Sequence, residues 1–151
     1  MTATSALSDR RIDSNALIDK LVHSRNEALV LLGTLASIKP FRDADGIPEL
    51  VQRFCQTLID YTAHGHFQLY RWIAEGTERR GSVLEIADAV YPRISDTTET
   101  ILLFNDKYET EEQIHHLDHL MEDLSVLGEE LAVRIELEDQ LLDALRQPRA
   151  A

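Results

Sequence analysis

The chain is predicted to be all-α: a single-domain helical bundle with four principal helices and short connecting helices. Three observations predict it. Apolar residues recur at helical spacing through most of the 151 residues, and no segment alternates as a strand would. The six glycines and four prolines stand mainly at the breaks between the periodic segments.

The first helix is expected to start at an N-cap on Asp13 or Ser14, with Leu17, Leu21, Ala28, Leu32 and Leu35 on one stripe. "IKPFRDADGIP" interrupts it. Lys39, being pre-proline, disfavours continuation, and Gly46 with Pro48 marks a restart in which Pro48 suits a first helical turn. The second helix runs from about Pro48 to about residue 76, where "GTERRG" ends it, and Gly65 either bends or divides it. A short segment, "SVLEIADAVY", follows, with Ser82 and Glu85 spaced as a capping box. Pro92 is expected to open the third principal helix. The last is long, its apolar face running through Ile114, Leu117, Leu120, Met121, Leu124, Leu127, Leu131, Ile135, Leu142 and Leu145. Residues 13–146 are expected to form the bundle domain, with a mobile tail at 1–12 and another tail at 147–151.

Twenty-seven acidic against fifteen basic residues give a net charge of −12, which repels nucleic acid and steers towards basic partners. The single cysteine, Cys55, rules out an internal disulfide and any multi-cysteine metal site. "MTATSALSDRRIDS" lacks the apolar core of a secretory leader, and "ALVLLGTLA" is too short to span a bilayer, so a cytoplasmic location is expected. No phosphate-binding glycine loop, nucleophile elbow or paired-carboxylate arrangement points to an enzyme.

On a helical wheel Leu50, Val51, Phe54, Cys55, Leu58, Tyr61 and Leu69 share the core face. Cys55 there reads as a small buried hydrophobe. Gln56, Asp60 and Phe67 align on the opposite side, flanked by Arg53 and His64. Either another helix covers this side too, or an aromatic anchor stands exposed beside a charge, as binding hot spots often do.

The histidines raise the question of a metal. His64 and His66, two apart, diverge on a helix. Glu112 and His115 make one Glu-x-x-His step, with His119 on the same face, but di-iron bundles need that step on two helices. No metal and no cofactor is expected, and a metal-binding bundle using Glu112, His115 and His119 is a rival reading. On the last helix Arg134 and Glu138 fall on or near the apolar stripe, four apart. They form either a structural ion pair, reached by a second-helix residue such as His66 or Tyr70, or a polar patch at a groove that a partner fills.

"FCQTLIDYTAHGHFQLY", residues 54–70, closely resembles the central block of the Rsd/AlgQ family, Phe-Cys-Gln-x-Leu-x-Asp-Tyr-x-x-x-Gly-His-Phe-x-x-Tyr. The likeness extends to "LIDKLVHSRNEALVLLGTLASIKP", "YPRI" and "LGEELAVRIELEDQLL", covering all but the tails and the 41–47 loop; "FNDKYETEEQIHHLDHLMED" matches least. The resemblance implies a helical bundle that captures the C-terminal, −35-reading helix-turn-helix region of the primary sigma factor of RNA polymerase. It would thereby keep sigma from core polymerase and promoter, as an anti-sigma factor. Asp60 and Phe67 match the family's motif positions as partner contacts, His66 and Tyr70 match too, either as partner contacts or in orienting the groove, and His64 on the flank of the same face is a further partner-contact candidate. The charge of −12 suits an acidic decoy for a DNA-binding surface. The remaining alternative is an acidic interaction protein regulating a different client enzyme.

Overall fold

A computed structural model describes residues 3–38, 46–66, 80–109 and 119–146, with side chains from residue 16 onward. Four helices make up the described chain: α1 (Ala3–Ser37), α2 (Ile47–Ala63), α3 (Gly81–Tyr108) and α4 (Leu120–Arg146). Their neighbours run in a ring, α1 on α2, α2 on α3, α3 on α4 and α4 back on α1, with α3 and α4 packed most extensively. Arg80 reaches Leu145, Arg93 reaches Glu130 and Lys107 reaches Asp123, so α3 and α4 are antiparallel. Phe54 meets Phe104 edge to face at 5.8 Å, while Ala63 and Tyr91 share a hollow at the other end, so α2 and α3 are antiparallel as well. The architecture is an up-down-up-down four-helix bundle, and no strand occurs among the described residues.

The helix boundaries depart from the sequence reading in three places. Helix α1 begins at Ala3 rather than at Asp13 or Ser14, since nothing from Thr4 to Ser14 is a glycine or proline that would stop it. Ser82 and Glu85 form no capping box, because the N-cap is Arg80 in extended backbone and Ser82 already lies inside α3. Pro92 does not open a helix but lies inside one. It denies the Asp88 carbonyl its amide partner, and the helix tolerates this because both residues face solvent. Gly46 has the expected role: it sits at φ 73°, a conformation only glycine adopts at no steric cost, and Pro48 follows in the first turn of α2. Beyond Ala63, residues 64–66 continue α2 as one wider π turn. Whether α2 extends towards residue 76 lies outside the described residues.

The core joins Ile18, Leu21, Leu35, Val51, Phe54, Leu58, Ile101, Leu131 and Leu142, all essentially inaccessible. Burial of such a side chain stabilises by about 1.5–3 kcal/mol. Some residues expected on the stripes are displaced by one position. Ile18 is buried where Leu17 is only half-buried, and Leu141 is buried while Met121 is 46% exposed. The core stripe of α4 passes through Leu131, Arg134, Glu138 and Leu141, so two charged residues hold core positions and Ile135 sits at the margin.

Candidate functional site

Arg134 and Glu138 are 1% and 0% exposed, and all four helices contribute to their surroundings. The Tyr61 hydroxyl of α2 donates to Glu138 Oε1. From α3, Thr98 Oγ1 and Thr97 Oγ1 accept from Arg134 Nη1 at 2.7 and 3.1 Å. Arg134 Nε approaches Glu138 Oε2 at 3.4 Å within α4, and the guanidinium stacks over the Tyr61 ring at 5.3 Å. From α1, Arg25 Nη1 lies 3.7 Å from Glu138 and 2.9 Å from Asp139. Arg134 and Glu138 thus form a buried ion pair held from all four helices, and Arg134 also lines a hollow between α2 and α3. Tyr61 reaches the pair from α2, since a core-facing tyrosine points its hydroxyl across the bundle to α4, and Tyr70 lies outside the described residues. Burial pushes the Glu138 carboxyl above the usual carboxylate range despite Arg134, Tyr61 and Arg25. Burial likewise raises the Tyr61 hydroxyl, with Glu138 adding to it.

Between α2 and α3 the surface is concave. One hollow of about 420 Å³ is apolar, lined by Ile59, Tyr91 and Leu102 among others, with His66 at its rim and Arg134 at its floor. Those three apolar residues are 40–45% exposed. A second hollow of about 570 Å³ shares Ile59 and is polar: Gln52, Gln56 and Asp60 from α2 face Asn105 and Glu109 from α3. The two form one groove along the α2–α3 seam, apolar at one end and acidic at the other.

Asp60 and Gln56 are exposed, so no other helix covers this side of α2 at those positions. Asp60 lines the polar hollow and His66 the apolar one. His64 is half-buried in the π turn, where its Nδ1 is buried without a hydrogen-bond partner. Phe67 and Tyr70 lie outside the described residues. Cys55 is 4% exposed at the base of the polar hollow, and burial, helped by Glu109, pushes its thiol up to about 12. It is the inert, small hydrophobe that its wheel position suggests.

Sequence reasoning passed over Arg25, Thr97, Thr98 and Asn105. A signal existed for Asn105: it follows Ile101 by four and precedes Tyr108 by three, which places a carboxamide on the α3 core stripe. Of the rival metal set, Glu112 and His115 lie outside the described residues. His119 is exposed, 3.7 Å from the equally exposed Glu122. Among the described residues, no group of three or more His, Cys, Asp or Glu side chains could hold a metal, and no helix is long and apolar enough to cross a membrane.

The family model described as "Regulator of RNA polymerase sigma(70) subunit, Rsd/AlgQ" matches residues 1–146. The chain is 35% identical over 142 residues to the Regulator of sigma D of Yersinia enterocolitica, covering 91% of this chain and 84% of that protein. It is 33% identical over 141 residues to the Regulator of sigma D of Yersinia pseudotuberculosis, covering 91% and 83%. For the Regulator of sigma D of Salmonella arizonae the identity is 35% over 141 residues, covering 90% and 85%. No solved structure matches. With the expected bundle in place and the match running through the groove-forming helices, the chain belongs to the Rsd/AlgQ family, regulators of the sigma(70) subunit of RNA polymerase.

Proposed function

We propose that this chain is a cytoplasmic, non-catalytic anti-sigma factor. Its bundle domain, residues 13–146, binds the C-terminal, −35-reading region of the primary sigma factor and so blocks access to core polymerase and promoter. The observation that carries the reading is the α2–α3 groove, in which Asp60 and Glu109 line the polar hollow and the exposed Ile59 and Leu102 the apolar one. A helix-turn-helix carries Lys and Arg aimed at phosphates beside an apolar body, and such a groove suits both parts. The net charge of −12 brings the partner in, while the apolar contacts hold it. Asp60 pairs with a cationic or hydrogen-bond-donating residue of sigma, Phe67 anchors, and His64, His66 and Tyr70 are further partner contacts, of which His66 lines the apolar hollow.

Calorimetric titration of full-length primary sigma factor, and of a form lacking its C-terminal region, tests this at two salt concentrations. Tight binding that needs the C-terminal region and weakens with salt is expected. The double variant Asp60→Lys, Phe67→Ala should bind about a hundredfold or more weaker, as loss of a central charge and an aromatic anchor together implies. Undiminished binding by that variant would sink the assignment of these residues. Failure of the unaltered chain to bind sigma at all would direct the search to a different client protein.

A further inference from the structure

The residues of the α2–α3 groove are sorted along its length. On α2 the polar hollow takes Gln52, Gln56 and Asp60, the apolar hollow takes Ala63 and His66, and Ile59 belongs to both. On α3 the order is mirrored, from Tyr91 and Leu102 in the apolar hollow to Glu109 in the polar one. Gln52, Gln56, Asp60 and Glu109 are all exposed, so a partner can reach them. Among the described residues, no carboxylate lines the apolar hollow. From Gln52 to Ala63 the groove follows α2 for about 16 Å, the length of a three-turn helix.

A groove between two helices with an apolar stretch suits an amphipathic helix, and the sorting gives that helix a direction. Carboxylates favour the N-terminal end of a helix, where unpaired amides carry partial positive charge, and repel the carbonyls of its C-terminal end. In a helix-turn-helix the N-terminal residues of the recognition helix reach the base edges, and cations beside them meet the phosphates. Both features place the start of that helix at the acidic end. Turned the other way, it would set its carbonyls against Asp60 and Glu109 and leave its cations in a hollow without a carboxylate to receive them. We propose that the recognition helix of sigma lies in the groove parallel to α2 and antiparallel to α3. Its first turn stands between Asp60 and Glu109, and its later turns pass over Ile59 to Tyr91 and Leu102. This rests on the sigma-binding reading above and deepens it, by naming the element of sigma that is captured and the way it points. Held so, that helix cannot enter a major groove.

Asp88 and Asp106 serve as two fixed points for the test. Both are exposed, Asp88 just before Tyr91 and Asp106 just before Glu109, and they lie about 27 Å, or five helical turns, apart on α3. An iron–EDTA chelate is tethered through Asp88→Cys or through Asp106→Cys, each change removing the same charge, while the buried Cys55 stays unlabelled. Radicals from the chelate cut bound, full-length primary sigma factor close to the tether, and the cut sites are read by mass spectrometry. The expected result is cutting around the first turn of the recognition helix from position 106 and around its last turn from position 88. The reverse order overturns the direction, and cuts confined to another segment of sigma overturn the choice of element. Both leave sigma binding itself intact in calorimetry. No binding by the unaltered chain overturns both readings. Charge reversal gives a second, independent reading: the weakened binding of Asp60→Lys should recover about tenfold when a cation in the first turn of the recognition helix is changed to Glu. Recovery from a last-turn cation instead, or from neither, overturns the placement.

Discussion

Replacing Arg134 by methionine isolates the electrostatics at the centre of the bundle. Methionine fills a comparable slot and carries no charge. Thr97 and Thr98 lose a donor but stay bonded, since both hydroxyls also donate to the Ile94 carbonyl. Glu138 fares worse. Arg134 is the chief influence opposing the burial of that carboxylate, and only the Tyr61 hydroxyl and Arg25, at 3.7 Å, remain. Removing one partner of a buried pair costs about 3–5 kcal/mol. Against the roughly 5–15 kcal/mol that a domain of this size has in total, such a loss shows plainly in urea unfolding followed by helical circular dichroism.

The sign of the pH dependence follows from Glu138. Its pKa is raised in the folded state, so its contribution to stability is complete below the ordinary carboxylate value and is lost as pH rises through the raised one. Arg134→Met raises that pKa further. Its deficit relative to the unaltered protein should be small near pH 4.5 and grow towards pH 8. Adding Glu138→Gln, which keeps an acceptor for Tyr61 and removes the charge, should recover most of the loss at pH 8. A deficit under about 1 kcal/mol at pH 8, or a double variant no more stable than the single, would refute the reasoning.

Three further outcomes are expected. Tyr61→Phe leaves Glu138 Oε1 without its hydroxyl donor and should lower stability by about 1–3 kcal/mol in the same urea assay. Cys55, buried with its thiol pushed up to about 12, should resist iodoacetamide at pH 8 until urea unfolds the chain, the alkylation rate then tracking the unfolded fraction. Burial raises the Asp123 carboxyl, but hydrogen bonds from Lys107 and Tyr108 outweigh it and hold the pKa below the ordinary value. Asp123 therefore stabilises above about pH 4 and loses that contribution as pH falls. Asp123→Asn should cost under about 1 kcal/mol at pH 7 and nothing in strong acid, read from melting curves at both pH values.

Periodicity alone revealed four helices and most of their buried faces, because a 3.6-residue repeat of apolar side chains has few other solutions. Boundaries were less legible. Proline at position 92 signals a break by its chemistry, yet the helix runs through it, since the orphaned Asp88 carbonyl can bond water. That decision belongs to the packing of α3 on α4, which no local rule contains. The pairing of Arg134 with Glu138 was visible from their spacing, but Arg25, Tyr61 and Thr97 come from helices more than thirty residues away in sequence. Their convergence needs the ring order of the bundle.

The groove shows where that ring order acts on function. Its apolar hollow ends at Arg134, the same side chain that joins α3 to α4 through Thr97 and Thr98 and lies over Tyr61 of α2. A buried ion pair is a poor source of stability, but it fixes which side chains can sit opposite one another. Here it ties Tyr61 of α2 and Thr97 and Thr98 of α3 to one point of α4, beside the hollow that Asp60 lines. Breaking the pair should then weaken sigma binding even where the fold survives at low pH, whereas an apolar replacement of both partners that keeps the register should not. Affinity would then fall without stability in the first case and neither would fall in the second, which makes the interior network a support of the binding surface as well as of the fold.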